Sequence, residues 1–491
     1  MQQPRAHALA VLLLLGGGAG VASWPRAASA QQAPSSAEVG PTEDPVRREL
    51  DELRARQRWL EQRLVAAESR GGKKVEAPPA PPVPPAALPG EGVPRFHFGR
   101  GGFVFSTADG KTELHVRAVL NLDGRAYVGG TVPLADTFVI RRARPFIEGT
   151  LFDFVDFRLM PNFAYGQAVI DDAYVDLRPW RWLRLRGGRF MVPVGLEWMQ
   201  RDTTIHFLER SLATDLVPYR DLGLMLHGDV ADGTFAYSFT MANGGADSGN
   251  GPDLDPESGK DYSGRLFIRP LRRFARAAAL TDLGFGVGAS YGTAKGTAAA
   301  TGLATYKSTG QQTIFTYATA SAGVPAASAA VTVADGDRWR VTPQAYWYIG
   351  PVGVLAEYVV SSQRVTRMDT SATLQHRAWN VTMTFVLTGE RASFDGIAPR
   401  NPVDFHHRAF GAFELVARYS ELRFDDAAFP DYADPTVSVR SAREFAGGLN
   451  WHLTEWLKVM MSYHRTDFTG GSLTGDREPE NALMGRLQIA L

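Results

Sequence analysis

The sequence contains no cysteine, which removes disulfide frameworks, thiolate metal sites and lipid-modified cysteines from consideration. After residue 30 it also lacks any apolar run near the ~20 residues that a membrane-spanning helix requires, so the chain is not a helical membrane protein. Nor is there an excess of one charge. The 52 basic residues balance 52 acidic ones, whereas nucleic-acid-binding chains usually carry a basic surplus; nucleic acid is therefore excluded as a partner. Any selectivity for charged solutes must come from where the charges sit. No nucleophile motif is present and the ten histidines are scattered, although an enzyme would need a nucleophile, base and orienting acid to meet. The chain reads as a non-enzyme without a cofactor.

What is present begins with an export signal at residues 1–30: Arg5 supplies the positive start, residues 8–22 an apolar core, and Ala28-Ser29-Ala30 a small-residue cleavage site. Within residues 31–76, the stretch 46–68 sets Val46, Leu50, Leu53, Gln57, Leu60, Leu64 and Ala67 at alternating spacings of four and three. This spacing predicts a short α-helical coiled coil with Gln57 as its one polar core position. A lone amphipathic surface helix is the alternative. Residues 77–94 are rich in Pro and Ala, which favours extended polyproline II and reads as a semi-rigid linker.

From residue 95 the hydrophobic period changes to two. In 114–127, Leu114, Val116, Ala118, Leu120 and Leu122 alternate with a largely polar set that includes His115, Arg117, Asn121, Asp123 and Arg125, the signature of a strand with one apolar and one polar face. Similar stretches lie near 137–149, 155–162, 168–178, 183–191, 222–230, 234–242, 261–270, 282–292, 338–349, 351–364, 378–388, 411–424, 444–453, 457–467 and 482–491, which makes sixteen. Short links alternate with long polar ones, as in outer-membrane barrels; the links 271–281 and 389–410 break that rule. The apolar sets, such as Phe413, Leu415, Ala417 and Tyr419, oppose faces that carry charge, which a water-filled interior accepts and a soluble sandwich core does not. Trp180, Trp182, Trp339, Trp347, Trp451 and Trp456 lie toward strand ends, where interfacial girdles occur. The expectation for 95–491 is an all-β, transmembrane, antiparallel barrel of about sixteen strands, seated in a lipid bilayer.

Residues 117–125 (RAVLNLDGR), 137–150 (TFVIRRARPFIEGT), 168–177 (AVIDDAYVDL), 187–198 (GGRFMVPVGLEW), 207–212 (FLERSL), 384–391 (TFVLTGER), 411–420 (GAFELVARYS) and 448–451 (GLNW) resemble the phosphate-selective porin O/P family. The resemblance implies a bacterial outer-membrane porin, a homotrimer whose third external loop, here about 192–221, enters the lumen and narrows it. It also implies that basic residues form a path for small anions, phosphate or polyphosphate among them. One departure stands out. Gly188-Arg189-Phe190-Met191 replaces a Gly-Gln-Phe-Lys-type segment common in the family, so Met191 stands where a lysine would meet phosphate.

Alternation assigns a luminal basic set of Arg117, Arg125, Arg142, Arg144, Arg158, Arg184, Arg186, Arg265, Arg269, Arg340, Arg418, Lys458 and Arg486, against luminal acids Asp123, Glu148, Asp156, Asp172, Asp176, Glu357 and Glu414. Such an excess of fixed positive charge would concentrate anions. The other reading is that the arginines pair with the acids and hold the wall or a loop rigid, leaving a general porin. Arg141 completes a trio with Arg142 and Arg144, although strict alternation points it to lipid unless the strand bulges there. His406-His407 reads as a solvated pair, the acidic stretch 247–261 as a solvated external loop, and 294–337 as a long low-complexity loop. The N-terminal coil is a candidate for periplasmic or cell-wall contact.

Overall fold

The computed structural model describes residues 93–491 except Arg100, 131–133, 256–258, 274–279 and 320–330, together with Gln57. The export signal, the rest of the predicted coil and the linker up to residue 92 lie outside the described residues.

All sixteen strands expected from the period-two pattern form. The first nine are β3 (Glu113–Tyr127), β4 (Thr137–Leu151), β5 (Val155–Asn162), β6 (Val169–Trp180), β7 (Leu183–Met191), β8 (Arg220–Val230), β9 (Phe235–Ala242), β10 (Asp261–Ile268) and β11 (Asp282–Lys295). The other seven are β14 (Val333–Ile349), β15 (Val352–Arg367), β16 (Thr370–Val386), β17 (Ala412–Arg423), β18 (Val439–His452), β19 (Leu457–Ser472) and β21 (Glu480–Ala490). Each pairs antiparallel with the next, and β21 closes on β3 from Ala482↔Tyr127 to Ala490↔Val119. Closure leaves these sixteen strands without a free edge to template aggregation.

Below the end of β21, the hairpin of β1 (Arg95–Gly99) and β2 (Gly102–Ser106) continues the wall, pairing Phe103↔Val116 through Ser106↔Glu113. Its Phe96, Phe98, Phe103 and Phe105 are exposed. A small hairpin, β12 (Tyr306–Lys307) with β13 (Thr313–Phe315), forms within the long 296–332 loop, and β20 (Gly475–Asp476) folds back on β19.

The pleat sorts each strand as the alternation requires. In β16, Asn380, Thr382 and Thr384 point inward and are buried, while Trp379, Met383 and Phe385 on the opposite face are exposed. Polar inside and apolar outside is the inverse of a soluble core and matches a wall between lipid and a polar lumen. Trp180 and Trp182 stack at 5.3 Å beside a tight link, and Trp451 stacks on Phe413 at 5.7 Å, consistent with an interfacial girdle at the end that carries the short links. In one of those links Ala231 and Asp232 take φ of 57° and 55°, consecutive left-handed residues of the kind that a tight hairpin turn uses.

The long link between β16 and β17 is not a surface turn. Ala392 is buried, Phe394 stacks on Tyr346 at 5.2 Å, and the Phe394 carbonyl accepts a hydrogen bond of 3.2 Å from Gln200 Nε2. Its length departs from the short-link rule because the segment enters the barrel and meets a loop arriving from the other end. Wall height is uneven: β5, β9 and β10 have 8 residues each, whereas β14 and β16 have 17.

Candidate pore and its arginine wall

Residues 192–219, between β7 and β8, fold into the lumen. Val194, Leu196, Phe207, Leu208, Leu212, Leu216 and Val217 are buried there, burial that an external loop in water would not give. A helical turn, α1 (Leu196–Met199), and a 3-10 turn at Leu212–Leu216 give the loop some internal hydrogen bonding. Side chains of the strands meet further backbone groups of the loop. Glu357 on β15 accepts from the amides of Leu196 and Glu197, Gln344 donates to the Val194 carbonyl at 3.0 Å, and Asn450 donates to the His206 carbonyl at 2.8 Å. Gly288 on β11 permits the closest approach, since a Cβ there would collide with the Val194 carbonyl.

Guanidiniums of β3 and β4 meet this loop. Arg142 Nη2 donates to Asp202 Oδ1 at 3.0 Å, Arg144 Nη1 donates to Asp202 Oδ2, and Arg210, from the loop itself, donates to Oδ1 at 2.7 Å. Arg141 turns inward after all. The β3–β4 register jumps from Asn121↔Arg142 to Leu122↔Ile140, leaving Arg141 as the extra residue of a bulge, and its Nε and Nη2 donate to the two oxygens of Glu209 at 2.6 and 3.0 Å. A second jump, from Met160↔Asp172 to Pro161↔Ile170, turns Asp171 inward, 2.6 Å from Arg144 Nε. Arg125 donates to Glu209 at 3.0 Å.

Nearer the short-link end, the wall opens on a cavity of about 550 Å³ lined in part by Glu148, Asp156, Tyr174, Asp176, Arg178, Arg184 and Arg186. Arg117 and Arg158 share Glu148, at 2.8 and 3.5 Å. Arg178, Arg184 and Arg186 share Asp156 and Asp176. Aromatic rings sit between the charges: Phe146 lies 5.4 Å from the Arg117 guanidinium and 4.8 Å from that of Arg158, and Arg186 lies 4.0 Å over Tyr174.

Other residues of the expected anion path lie elsewhere. Arg418 is buried, donating to Glu444 at 3.0 Å through both Nε and Nη2 and to the Glu209 carbonyl, and Lys458 is buried against the carbonyls of Thr203 and Ile205. Both are closed off from water and hold the inner loop, because the loop occupies the space that alternation alone leaves open. Arg340 and Arg486 are likewise buried, on Asp247 and Asp123. Arg265 stands apart from the wall, donating to Gln344 at 2.8 Å with its guanidinium 4.5 Å over Phe267, and Arg269 donates to the Gly233 carbonyl.

The count of luminal acids also needs correction. Asp202 and Glu209 arrive from the inner loop, and Asp247 is buried on Arg340; at the start of β10, Asp261 bonds Arg338 at 2.9 Å, while Asp253 and Leu254 between them are exposed, as a solvated loop requires. Loop acids follow no strand period, which is why alternation missed them; Glu209 and Arg210 do fall inside the FLERSL segment. Met191 packs partly buried against the apolar cluster of the loop. His406 and His407 are exposed, with His407 Nδ1 2.6 Å from Asp404, and no group of metal-ligating side chains occurs among the described residues.

Electrostatics in the loop follow from these contacts. Burial by itself would push the Asp202 carboxyl up, but Arg142, Arg144 and Arg210 beside it hold it well below the usual carboxylate range. Glu209 is likewise held low against burial by Arg141 and Arg125. Asp215 is the opposite case. Burial pushes it up to about 8, and Glu209 and Asp247 add to the effect against one hydrogen bond from Ser248.

A family model described as phosphate-selective porin O and P matches residues 119–491. No curated protein matches the chain. Among solved structures, the chain is similar to outer-membrane expressed OmpT of Vibrio cholerae at 10% identity, covering 78% of this chain and 98% of that one with a TM-score of 0.49. It is similar to the outer membrane channel DcaP of Acinetobacter baumannii at 8% identity, 77% and 97% coverage and a TM-score of 0.49. OprB of Pseudomonas putida gives 11%, 78% and 94%, with a TM-score of 0.46.

Proposed function

Because the chain belongs to the phosphate-selective porin O and P family and forms a closed sixteen-stranded barrel, which makes it an outer-membrane porin, we propose that it passes small anions by passive diffusion. One observation carries this reading. Along the accessible wall, guanidiniums outnumber the carboxylates they share: Arg117 and Arg158 on Glu148, and Arg178, Arg184 and Arg186 on Asp156 and Asp176. In a water-filled channel between low-dielectric walls such a residue of positive charge raises the local anion concentration. Arginine suits the task, since its planar fork stays charged and can meet two oxygens of a phosphate or carboxylate. The inner loop narrows the passage on this reading, and phosphate-like oxyanions are the solutes that the wall suits best.

The pairing itself favours a second reading, a general porin whose arginines only hold the loop, as Arg418 and Arg486 do. Reversal potentials of single channels in asymmetric KCl, followed by block with added phosphate, separate the two. Preference for chloride supports the anion pore; a cation-selective potential overturns it. A homotrimer fits the uneven wall: from β5 to β10 the strands have 8 to 12 residues, at roughly 3.3 Å each, a low side that a second and third copy would cover. The exported N-terminal coil would join the three copies or contact the cell wall on the periplasmic side.

A further inference from the structure

We propose that the outer surface of β16 to β19 docks a phosphorylated lipid of the leaflet on the long-loop side, through a row of four outward-facing arginines, Arg377, Arg423, Arg443 and Arg465. The pleat puts them there. Each shares the outward face of its strand with apolar side chains, Arg377 with Trp379 and Phe385, Arg423 with Tyr419, Arg443 with Phe445 and Arg465 with Tyr463, and all four are exposed. Trp379, Tyr419 and Phe445 run across three neighbouring strands with ring centroids 4.9 and 4.7 Å apart, an aromatic girdle of the kind that marks the edge of the hydrocarbon. The next outward position toward the long loops lies about 7 Å further along the strand, two residues at roughly 3.3 Å each. It is arginine on β16, β18 and β19, and on β17 it is Glu421 followed by Arg423. The guanidiniums therefore stand at the level of lipid headgroups.

Charge at this level is not balanced within the protein. Arg377 and Arg423 stand directly opposite one another in the β16–β17 register, and like charges so placed destabilise a sheet. Glu421 lies 3.3 Å from Arg423 and 3.7 Å from Arg443, and Asp467 lies 2.8 Å from Arg465; Arg377 has no carboxylate partner among the described residues. Four guanidiniums share two carboxylates, and the surplus faces the membrane rather than the lumen. A phosphate group offers two oxygens to the planar fork of arginine. Carried on acyl chains, it also brings apolar groups against Trp379, Tyr419 and Phe445, which a free phosphate cannot do. Lipid fits this surface better than a second copy of the chain, because β16 to β19 lie half a turn of the sixteen-strand order away from the low side at β5 to β10.

The test titrates the full chain in detergent with lipid A carrying two phosphates, with its dephosphorylated form and with phosphatidylcholine, and reads bound lipid by native mass spectrometry. A basic residue at an anionic membrane surface contributes about fivefold in affinity. The parent is expected to hold phosphorylated lipid A at least tenfold more tightly than the other two, and Arg377→Gln/Arg423→Gln to lose at least tenfold of that affinity. Arg273→Gln/Arg391→Gln, which removes two exposed arginines at the short-link end, is expected to bind as the parent does. Equal affinity of the parent for phosphorylated and dephosphorylated lipid A overturns the proposal, as does equal loss in the two variants. Displacement of the lipid by an equal concentration of inorganic phosphate overturns it in favour of a free anion. Dissociation of the oligomer in Arg377→Gln/Arg423→Gln with lipid binding unchanged overturns it in favour of a contact between copies.

Discussion

Arg486 and Asp123 meet across the seam where the barrel closes, with Arg486 Nε and Nη2 each 2.7 Å from one oxygen of the Asp123 carboxylate and both residues buried. The pair joins β21 to β3, the longest closure in sequence that the fold makes, with a bidentate bond in a site closed to water. Removing one partner leaves the other charge buried alone, which costs about 3–5 kcal/mol. Asp123→Ala is expected to be the worse of the two, because Arg125 also lies 3.9 Å from Asp123 and would lose its neighbour. Urea unfolding of the detergent-solubilised protein measures both. A double change to Leu and Met is expected to recover most of the loss; equal damage in the double variant would contradict the buried-pair account.

The anion-pore reading predicts that Arg184→Gln/Arg186→Gln reduces the preference for chloride while leaving the barrel folded, since both side chains are only partly buried around the open cavity. The reduction is expected to be larger at 0.1 M than at 1 M KCl, because the screening length falls from about 10 Å to about 3 Å. A preference that is insensitive to the two substitutions at both salts would mean that these arginines act only on Asp156 and Asp176.

Gly288 and the Val194 carbonyl set the position of the inner loop. Gly288→Val forces the loop backbone off β11 at an overpacking cost of about 1–3 kcal/mol, and breaks the bonds from Thr342 and Gln344 that meet the same carbonyl. Larger single-channel conductance and faster trypsin cleavage within 192–219 are the expected outcomes. Unchanged conductance would show that this contact does not limit the passage.

Asp215 gives the loop a pH dependence of known sign. Its folded value of about 8 lies above the ordinary 3.8, so the folded loop keeps a proton that the unfolded loop has released. Its contribution is fully present below about pH 4, is lost progressively as pH rises to about 8, and does not change further above that. Hydrogen exchange of 192–219 is expected to accelerate from pH 5 to pH 8 beyond the intrinsic base catalysis of exchange, and Asp215→Asn to flatten that excess. An identical excess in the variant would place the dependence on another group.

Sequence alone determined the wall. Whether a residue faces lipid or lumen along sixteen strands is a local, period-two property, and pairs such as Trp379 outside and Asn380 inside follow from the pleat without knowledge of any neighbour. The same locality explains what alternation could not decide. Arg141 and Asp171 turn inward only because β4 and β6 bulge against their partners, a matter of register between strands. Asp202, Glu209 and Asp247 become luminal because loops without any period are drawn in by carboxylate-to-arginine bonds and apolar burial. Alternation points Arg418 and Lys458 inward, yet the inner loop that fills the space before them makes both anchors rather than wall charges. Which arginines still meet water was therefore fixed by packing in three dimensions, where each guanidinium is claimed by the nearest carboxylate that the tertiary fold brings within reach.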